Sequence, residues 1–117
     1  MSLRLNILEQ LLATEFDVGY EQELILIKNV RNPTTGMIEF NTQKKVSNSG
    51  MCVEELVKKF YEQSGFNVNQ IEHENYDRKS LKILRFSAEK QNSHKHNYLI
   101  TIVKTPYTNI ISINQTE

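Results

Sequence analysis

Two histidines lie two positions apart, at His94 and His96, in a polar stretch of the sequence. Side chains at this spacing on a strand point to the same side, so such a pair could chelate a metal ion. A zinc site needs a further fixed ligand, and with Cys52 and His73 elsewhere in the chain the sequence offers no obvious third one. Lys95 lies between the two histidines, and its charge opposes cation binding. The sequence therefore favours solvated loop histidines, and we predict neither a metal site nor a cofactor.

The single cysteine, Cys52, stands at the start of a predicted helix, where the helix N-terminus lowers the pKa of a thiol. Its neighbours Met51 and Val53 are apolar, which favours a small buried residue over a nucleophile. The sequence also lacks the Gly-x-Ser-x-Gly, phosphate-loop and dinucleotide-binding motifs. We therefore predict no catalytic residues and no enzymatic activity. A small metal-dependent nuclease or hydrolase ranks third among the functions considered.

One segment carries a nuclease-like pattern. The run from Val53 to Gly65, with the apolar residues that follow it, resembles the helix–glycine–strand opening of PD-(D/E)XK nuclease domains. The resemblance implies an Asp, for which Asp77 is available, and then Glu-x-Lys to hold magnesium and activate water. In Glu89-Lys90-Gln91 the lysine comes one residue early, which sends its ammonium to the opposite face of a strand. An amphipathic helix with a glycine cap explains the same residues, and we adopt that interpretation.

The charges of this 117-residue chain sum to zero but are unevenly distributed. Residues 1–27 carry a net charge of −4, and residues 78–104, the basic segment, carry +6. Complementary fields raise association rates and select partners, so we predict that the basic segment meets another protein with an acidic surface. Association between copies through the two charged regions is an open alternative. The predicted binding residues are Arg78, Lys79, Lys82, Arg85, Lys90 and Lys95.

Nucleic-acid binding by the basic segment is the runner-up, because Tyr76 and Phe86 are interleaved with its cations. Lys82 is two positions from Leu84 but three from Arg85, so the basic side chains do not all share one face of a strand. The sequence pI of about 6.8 is also well below that of dedicated nucleic-acid binders. A solvated sheet edge protected by basic residues is a further interpretation of the same residues.

Two segments show the apolar spacing of helices. The first stripe consists of Leu5, Leu8, Leu12 and Phe16, and the second of Val53, Leu56, Val57 and Phe60. Ser2 and Ser49 are the expected N-caps, while Gly19 and Gly65 are expected to end the helices. Phe60 is predicted to be a core residue.

Strands are predicted on either side of the second helix. Glu23 to Val30 is dense in aliphatic residues, which predicts a strand buried on both faces. The turn Asn32-Pro33-Thr34-Thr35-Gly36 and the alternation of Ile38 and Phe40 then predict a β-hairpin. Further strands are predicted at Phe66–Glu74, at Leu81–Ala88, at Tyr98–Lys104 after a polar loop from Glu89 to Asn97, and at Ile110, Ile111 and Ile113.

These elements predict one α+β domain over residues 1–117, with two helices packed on one face of a largely antiparallel sheet of about five strands in the order α-β-β-α-β-β-β. One cysteine, no signal peptide and no membrane-length apolar run favour a soluble protein in the cytoplasm. The predicted function is a non-enzymatic protein–protein interaction module, such as a small subunit, adaptor or inhibitor.

Overall fold

The structure is a computed structural model that describes residues 4–19, 23–76, 80–90 and 96–116, with only the backbone of 72–76 and 96. Within these ranges the chain forms two helices and six strands. The helices are α1 (Leu5–Phe16) and α2 (Val53–Glu62), and the strands are β1 (Leu24–Lys28), β2 (Gly36–Asn41), β3 (Asn67–Tyr76), β4 (Leu81–Lys90), β5 (His96–Lys104) and β6 (Thr108–Thr116).

The strands form one antiparallel sheet in the order β1-β2-β6-β5-β4-β3. The hairpin predicted for β1 and β2 is confirmed, and β3 to β6 form a meander that returns to pair with β2. The predicted α+β class is therefore confirmed, although the described sheet has six strands where about five were predicted. The last strand, β6, is also longer than predicted. It extends over nine residues, whereas the prediction rested on only three isoleucines.

Both helices cover the same face of the sheet. The ring of Phe16 lies 5.3 Å from that of Phe40, and the ring of Tyr61 lies 6.3 Å from that of Tyr98. The predicted alternation in β5 is confirmed, because Tyr98, Ile100 and Ile102 are all buried under the helices. The core therefore lies between α1, α2 and one face of the sheet.

The prediction that β1 is buried on both faces is wrong. Ile25 and Ile27 are 47% and 54% exposed, because β1 is an edge strand and these side chains point away from the helices. Its aliphatic composition indicated a central strand, but β6 takes the place beside β2 and leaves β1 outermost. The predicted loop from Glu89 to Asn97 is also too long, since β4 continues to Lys90 and β5 begins at His96.

Three predicted helix ends are also wrong or undescribed. Asp17, not Gly19, adopts the left-handed conformation after α1, with φ of 52°, which an aspartate tolerates better than most residues. Cys52 rather than Ser49 is the N-cap of α2, and its side chain makes no capping hydrogen bond. Ser2 lies outside the described residues. Gly65 does follow α2 with a positive φ of 92°, as a glycine allows.

The buried stripe of α2 also differs from the prediction at its C-terminal end. Tyr61 is 2% exposed and contacts Phe66 edge-on at 5.5 Å between ring centroids. Phe60, the predicted core residue, is only half-buried at the margin of the core. Positions 57 and 61 are four apart and stack on the same helix face, which gives Tyr61 the central position.

Candidate functional site

The predicted binding residues are separated by the fold. Arg78, Lys79 and Lys95 lie outside the described residues. Lys82, Arg85 and Lys90 all lie on β4, but Arg85 is on the face that the helices leave open, whereas the other two are on the same face as the buried side chains. The described residues therefore do not form one basic surface, and an acidic partner for the whole basic segment stays a prediction.

Lys90 supports the end of α2. Its Nζ donates a hydrogen bond to the carbonyl oxygen of Ser64 at 3.2 Å and lies 5.5 Å from the ring centroid of Phe66. A cation at the C-terminal end of a helix satisfies a free carbonyl and favours the helix dipole. Glu89 is on the opposite face of β4, so the two residues of the nuclease-like pattern do not face one site.

Lys82 lies in a polar row at one end of the sheet, on the side that carries the helices. In this row Phe40, Asn109, Lys104 and Lys82 are direct neighbours on four adjacent strands. The two lysines therefore lie opposite each other on β4 and β5. Like charges in this arrangement destabilise a sheet, so the row needs either internal counter-charges or a bound anion.

A pocket of about 550 Å³ opens over this row. We call it the basic pocket, and its thirteen lining residues are Phe16, Thr42, Gln43, Lys44, Lys45, Val53, Ser80, Leu81, Lys82, Lys104, Thr105, Pro106 and Asn109. Four of them are lysines, which come from the segment after β2, from β4 and from β5. Buried Phe16 and Val53 supply an apolar floor.

Lys104 is held in the basic pocket by Glu54 of α2. Its Nζ donates to the two carboxylate oxygens at 2.8 and 3.2 Å, and both side chains are about one-fifth exposed. Burial opposes ionisation of Glu54, but hydrogen bonds from Cys52 and Lys104 outweigh it and lower the pKa of the carboxyl. The pair is therefore ionised at neutral pH and neutralises one of the four lysines.

Lys44 is held in a similar way by the end of α1. Its Nζ contacts the carboxylate of Asp17 and donates to Asn48 Oδ1 at 2.9 Å. Hydrogen bonds from Lys44 and Asn48 lower the pKa of Asp17. The backbone N–H of Ser49 donates to Glu15 at 3.1 Å and ties the same loop to α1. The loop after β2 is thus fixed against α1, which positions two lysines at the rim of the pocket.

Three other polar groups of the basic pocket have no partner within the described part of the chain. Lys45 and Lys82 are exposed and make no hydrogen bond or ion pair there. The side chain of Asn109 also makes none, although this residue is only 8% exposed. The Asn109 amide faces the pocket and can hydrogen-bond to a group bound there.

The face of the sheet opposite the helices is a second candidate surface, which we call the open face. One of its rows runs across five strands, from Ile25 through Glu39, Ile110 and Val103 to Ile83. The next row contains Ile27, Met37, Ser112, Thr101 and Arg85. Apolar side chains thus continue across the sheet where an ordinary solvent-facing side carries polar ones.

The geometry of the described residues supports neither a metal site nor a reactive thiol at Cys52. In the described ranges no group of three or more His, Cys, Asp and Glu side chains could hold a metal ion. His94 lies outside these ranges, and the side chains of His73 and His96 are not described. Burial, together with the hydrogen bond to Glu54, raises the pKa of Cys52 to about 11. This is the opposite of the activation that a reactive thiol needs.

Neither helix in the described part of the chain combines the length and apolar content needed to cross a bilayer. Comparisons with protein-family models, with curated proteins and with solved structures find no match for the chain. The basic pocket and the open face are therefore the two candidate functional sites. Sequence reasoning missed Lys44 and Lys45, whose only signal is a pair of adjacent lysines in a polar loop.

Proposed function

We propose that this protein is a non-enzymatic protein–protein interaction module whose docking surface is the open face of the sheet. The occupant that the open face fits best is a second copy of the same chain. The observation that carries this proposal is the row of Ile25, Glu39, Ile110, Val103 and Ile83, in which four of five side chains are apolar. Contiguous apolar patches of this kind indicate interaction sites on proteins whose surface is otherwise polar.

The area of the open face suits a stable dimer. The strands have 5 to 10 residues, which is roughly 17–34 Å, and lie about 4.8 Å apart, so the face measures roughly 800 Å². A standard interface buries about 800 Å² on each partner, so two such faces are sufficient. Stacked sheets of this type form a shared apolar layer about 10 Å thick.

The pattern on the open face is complementary to itself. A two-fold axis parallel to the strands, between β6 and β5, places β6 of one copy over β5 of the other and β2 over β4. Ile110 then meets Val103, and Ser112 meets Thr101, so apolar groups face apolar groups and hydroxyls face hydroxyls. Glu39 lies diagonally across from Arg85, within reach of a long side chain.

The first test measures the mass of the protein by sedimentation equilibrium over a range of concentrations. We expect a dimer for the wild type and a monomer for Val103→Lys, because a lysine in the centre of the face would be buried without a counter-charge. Ile7→Lys is the matched control, since Ile7 is 45% exposed on α1 and lies away from the open face. The control should stay dimeric.

The second test exchanges the charges. Glu39 and Arg85 lie three strand spacings apart, about 14 Å, and therefore do not contact each other within one copy. Glu39→Arg and Arg85→Glu should each weaken the dimer by about tenfold, and the double exchange should restore it. Restoration of dimerisation can only arise from contacts between copies.

Circular dichroism must show that each variant is folded before its mass is interpreted. A wild-type protein that stays monomeric at every concentration overturns self-association, and the open face is then assigned to a different protein. A dimer that survives Val103→Lys and both single charge changes overturns the docking surface itself.

A further inference from the structure

We propose that the basic pocket binds an organic phosphate, a small molecule that joins a phosphate group to an apolar part. This inference is independent of the proposed function, because the pocket lies on the helix side of the sheet and not on the open face. The residues that line this proposed site come from five separated parts of the chain.

The direct opposition of Lys82 and Lys104 is the first argument. Two ammonium groups on neighbouring strands repel each other, and this repulsion makes the folded state less stable. Glu54 neutralises Lys104, but Lys82 and Lys45 have no counter-charge among the described residues. An anion bound beside Lys82 and Lys45 would supply the missing counter-charge, so the arrangement is suited to anion binding.

The polar side chains that line the pocket around Lys104 are the second argument. Asn109 lies beside Lys104 in the same row, lines the pocket and is 8% exposed without a hydrogen-bond partner in the described ranges. Its NH2 group can donate to a phosphate oxygen, and Thr42 and Ser80 line the same pocket with hydroxyls. A phosphate has several acceptor oxygens and matches a set of donors of this kind.

The volume of the pocket and its apolar surface favour an organic phosphate over the free phosphate ion as the ligand. Small-molecule sites usually measure about 300–1,000 Å³, and this pocket, at about 550 Å³, is far larger than one phosphate. Phe16, Val53, Leu81 and Pro106 provide apolar surface beside the lysines. The remaining space therefore fits an apolar group attached to the phosphate.

The rear wall of the pocket is preorganised by the turn between β5 and β6. Thr105 Oγ1 accepts hydrogen bonds from the backbone N–H groups of Tyr107 and Thr108, and the N–H of Thr105 donates to the carbonyl oxygen of Thr108 at 2.9 Å. Pro106 lies in the same turn, so the turn loses little conformational entropy when a ligand binds. A preorganised wall reduces the entropic cost of taking up a ligand.

The experiment titrates the protein with phenyl phosphate, ADP, inorganic phosphate and adenosine and follows the backbone amide resonances. We expect saturable shifts at Leu81, Thr105 and Asn109 with both organic phosphates. Inorganic phosphate should bind about tenfold more weakly, because it leaves the apolar floor uncovered. Adenosine, which has no charge, should cause no saturable shift.

Two variants separate binding from folding. Replacing both Lys45 and Lys82 with Gln should weaken phenyl phosphate binding by about tenfold or more. The double replacement Lys28→Gln and Lys58→Gln removes the same charge from exposed positions outside the pocket and should have little effect. Asn109→Asp places a carboxylate in the pocket beside Lys104, so it should abolish phosphate binding while raising the unfolding midpoint.

Loss of binding together with increased stability cannot be explained by general damage to the fold. The proposal is overturned if none of the organic phosphates causes saturable shifts at the pocket, or if the control pair weakens binding as much as the Lys45 and Lys82 pair. If a single-stranded oligonucleotide shifts the pocket resonances and the small phosphates do not, the site belongs to nucleic acid and the small-molecule assignment is wrong.

Discussion

Glu54 and Lys104 form a two-pronged ion pair that joins α2 to the end of β5, with hydrogen bonds of 2.8 and 3.2 Å. The pair has two consequences. It fixes the helix over the sheet, and it sets the orientation of one of the two opposed lysines in the basic pocket. Because each side chain is about one-fifth exposed, its contribution to stability lies between that of a surface pair and that of a buried pair.

Glu54→Gln should reduce the free energy of unfolding by about 1–2 kcal/mol at pH 7. The folded protein lowers the pKa of Glu54, so its contribution is present above the unfolded pKa of about 4.3 and is lost as the pH falls below it. The difference between variant and wild type should therefore shrink on acidification. Urea unfolding at several pH values measures it, and Glu55→Gln on the exposed neighbouring position serves as the control. A difference that is constant with pH would exclude the ion pair as its cause.

Tyr61→Ala should cost about 3–5 kcal/mol, as is usual for a buried aromatic residue. Phe60→Ala should cost less, about 1–2 kcal/mol, because this ring is half-buried at the margin of the core. Chemical unfolding of both variants under the same conditions makes the comparison. Equal losses, or a larger loss at Phe60, would contradict the orientation of α2 described above.

Gly36→Ala should disrupt the β1–β2 hairpin. A Cβ atom at this position would lie 2.1 Å from the carbonyl oxygen of Ile27, and φ is +144°. Gly50→Ala is the matched control, because Gly50 also has a positive φ, of +87°, but nothing lies near its Cβ position. We expect Gly36→Ala to cost about 2–4 kcal/mol more than Gly50→Ala in thermal or urea unfolding. Similar costs would mean that backbone strain alone, and not the contact with β1, limits position 36.

Cys52 should react slowly with thiol reagents. Burial, followed by the hydrogen bond to Glu54, raises its pKa to about 11, and the thiolate is the reactive form. At pH 8 we expect a Cys52 alkylation rate about a hundredfold below that of the urea-unfolded chain. The raised pKa also means that its contribution to stability is complete below the unfolded pKa of about 8.5 and is lost as the pH rises toward 11. A folded-state rate close to the unfolded one would contradict this environment.

Local patterns in the sequence were sufficient for the elements and for much of the core. The alternation of Tyr98, Ile100 and Ile102 identified the buried side of β5, and the turn around Pro33 identified the hairpin. Sheet order was not accessible in this way, because the position of β6 beside β2 depends on contacts between distant residues. The edge position of β1, and with it the exposure of Ile25, follows from that order alone.

The candidate sites show the same limit. The sequence identified Lys82 as a candidate binding residue from its charge. Lys45 lines the same pocket only because the loop after β2 is held against α1, and the sequence does not show this contact. The prediction that Lys82 and Arg85 lie on different faces needed only the two-residue period of a strand. The apolar open face could not be foreseen, because Ile83, Val103 and Ile110 form a row only after three strands are aligned.

The insertion of β6 between β2 and β5 also determines how the chain can fold. Before β6 docks, the sheet consists of two separate pieces, the β1–β2 hairpin and the β3–β4–β5 meander. The pairing of Ile38 with Ile111 joins opposite halves of the chain, and closing so long a loop slows folding. During this interval the edges of β2 and β5 are unpaired and can capture strands of other molecules. Formation of the sheet centre is therefore the expected rate-limiting event, and the stage at which the chain is most prone to aggregate.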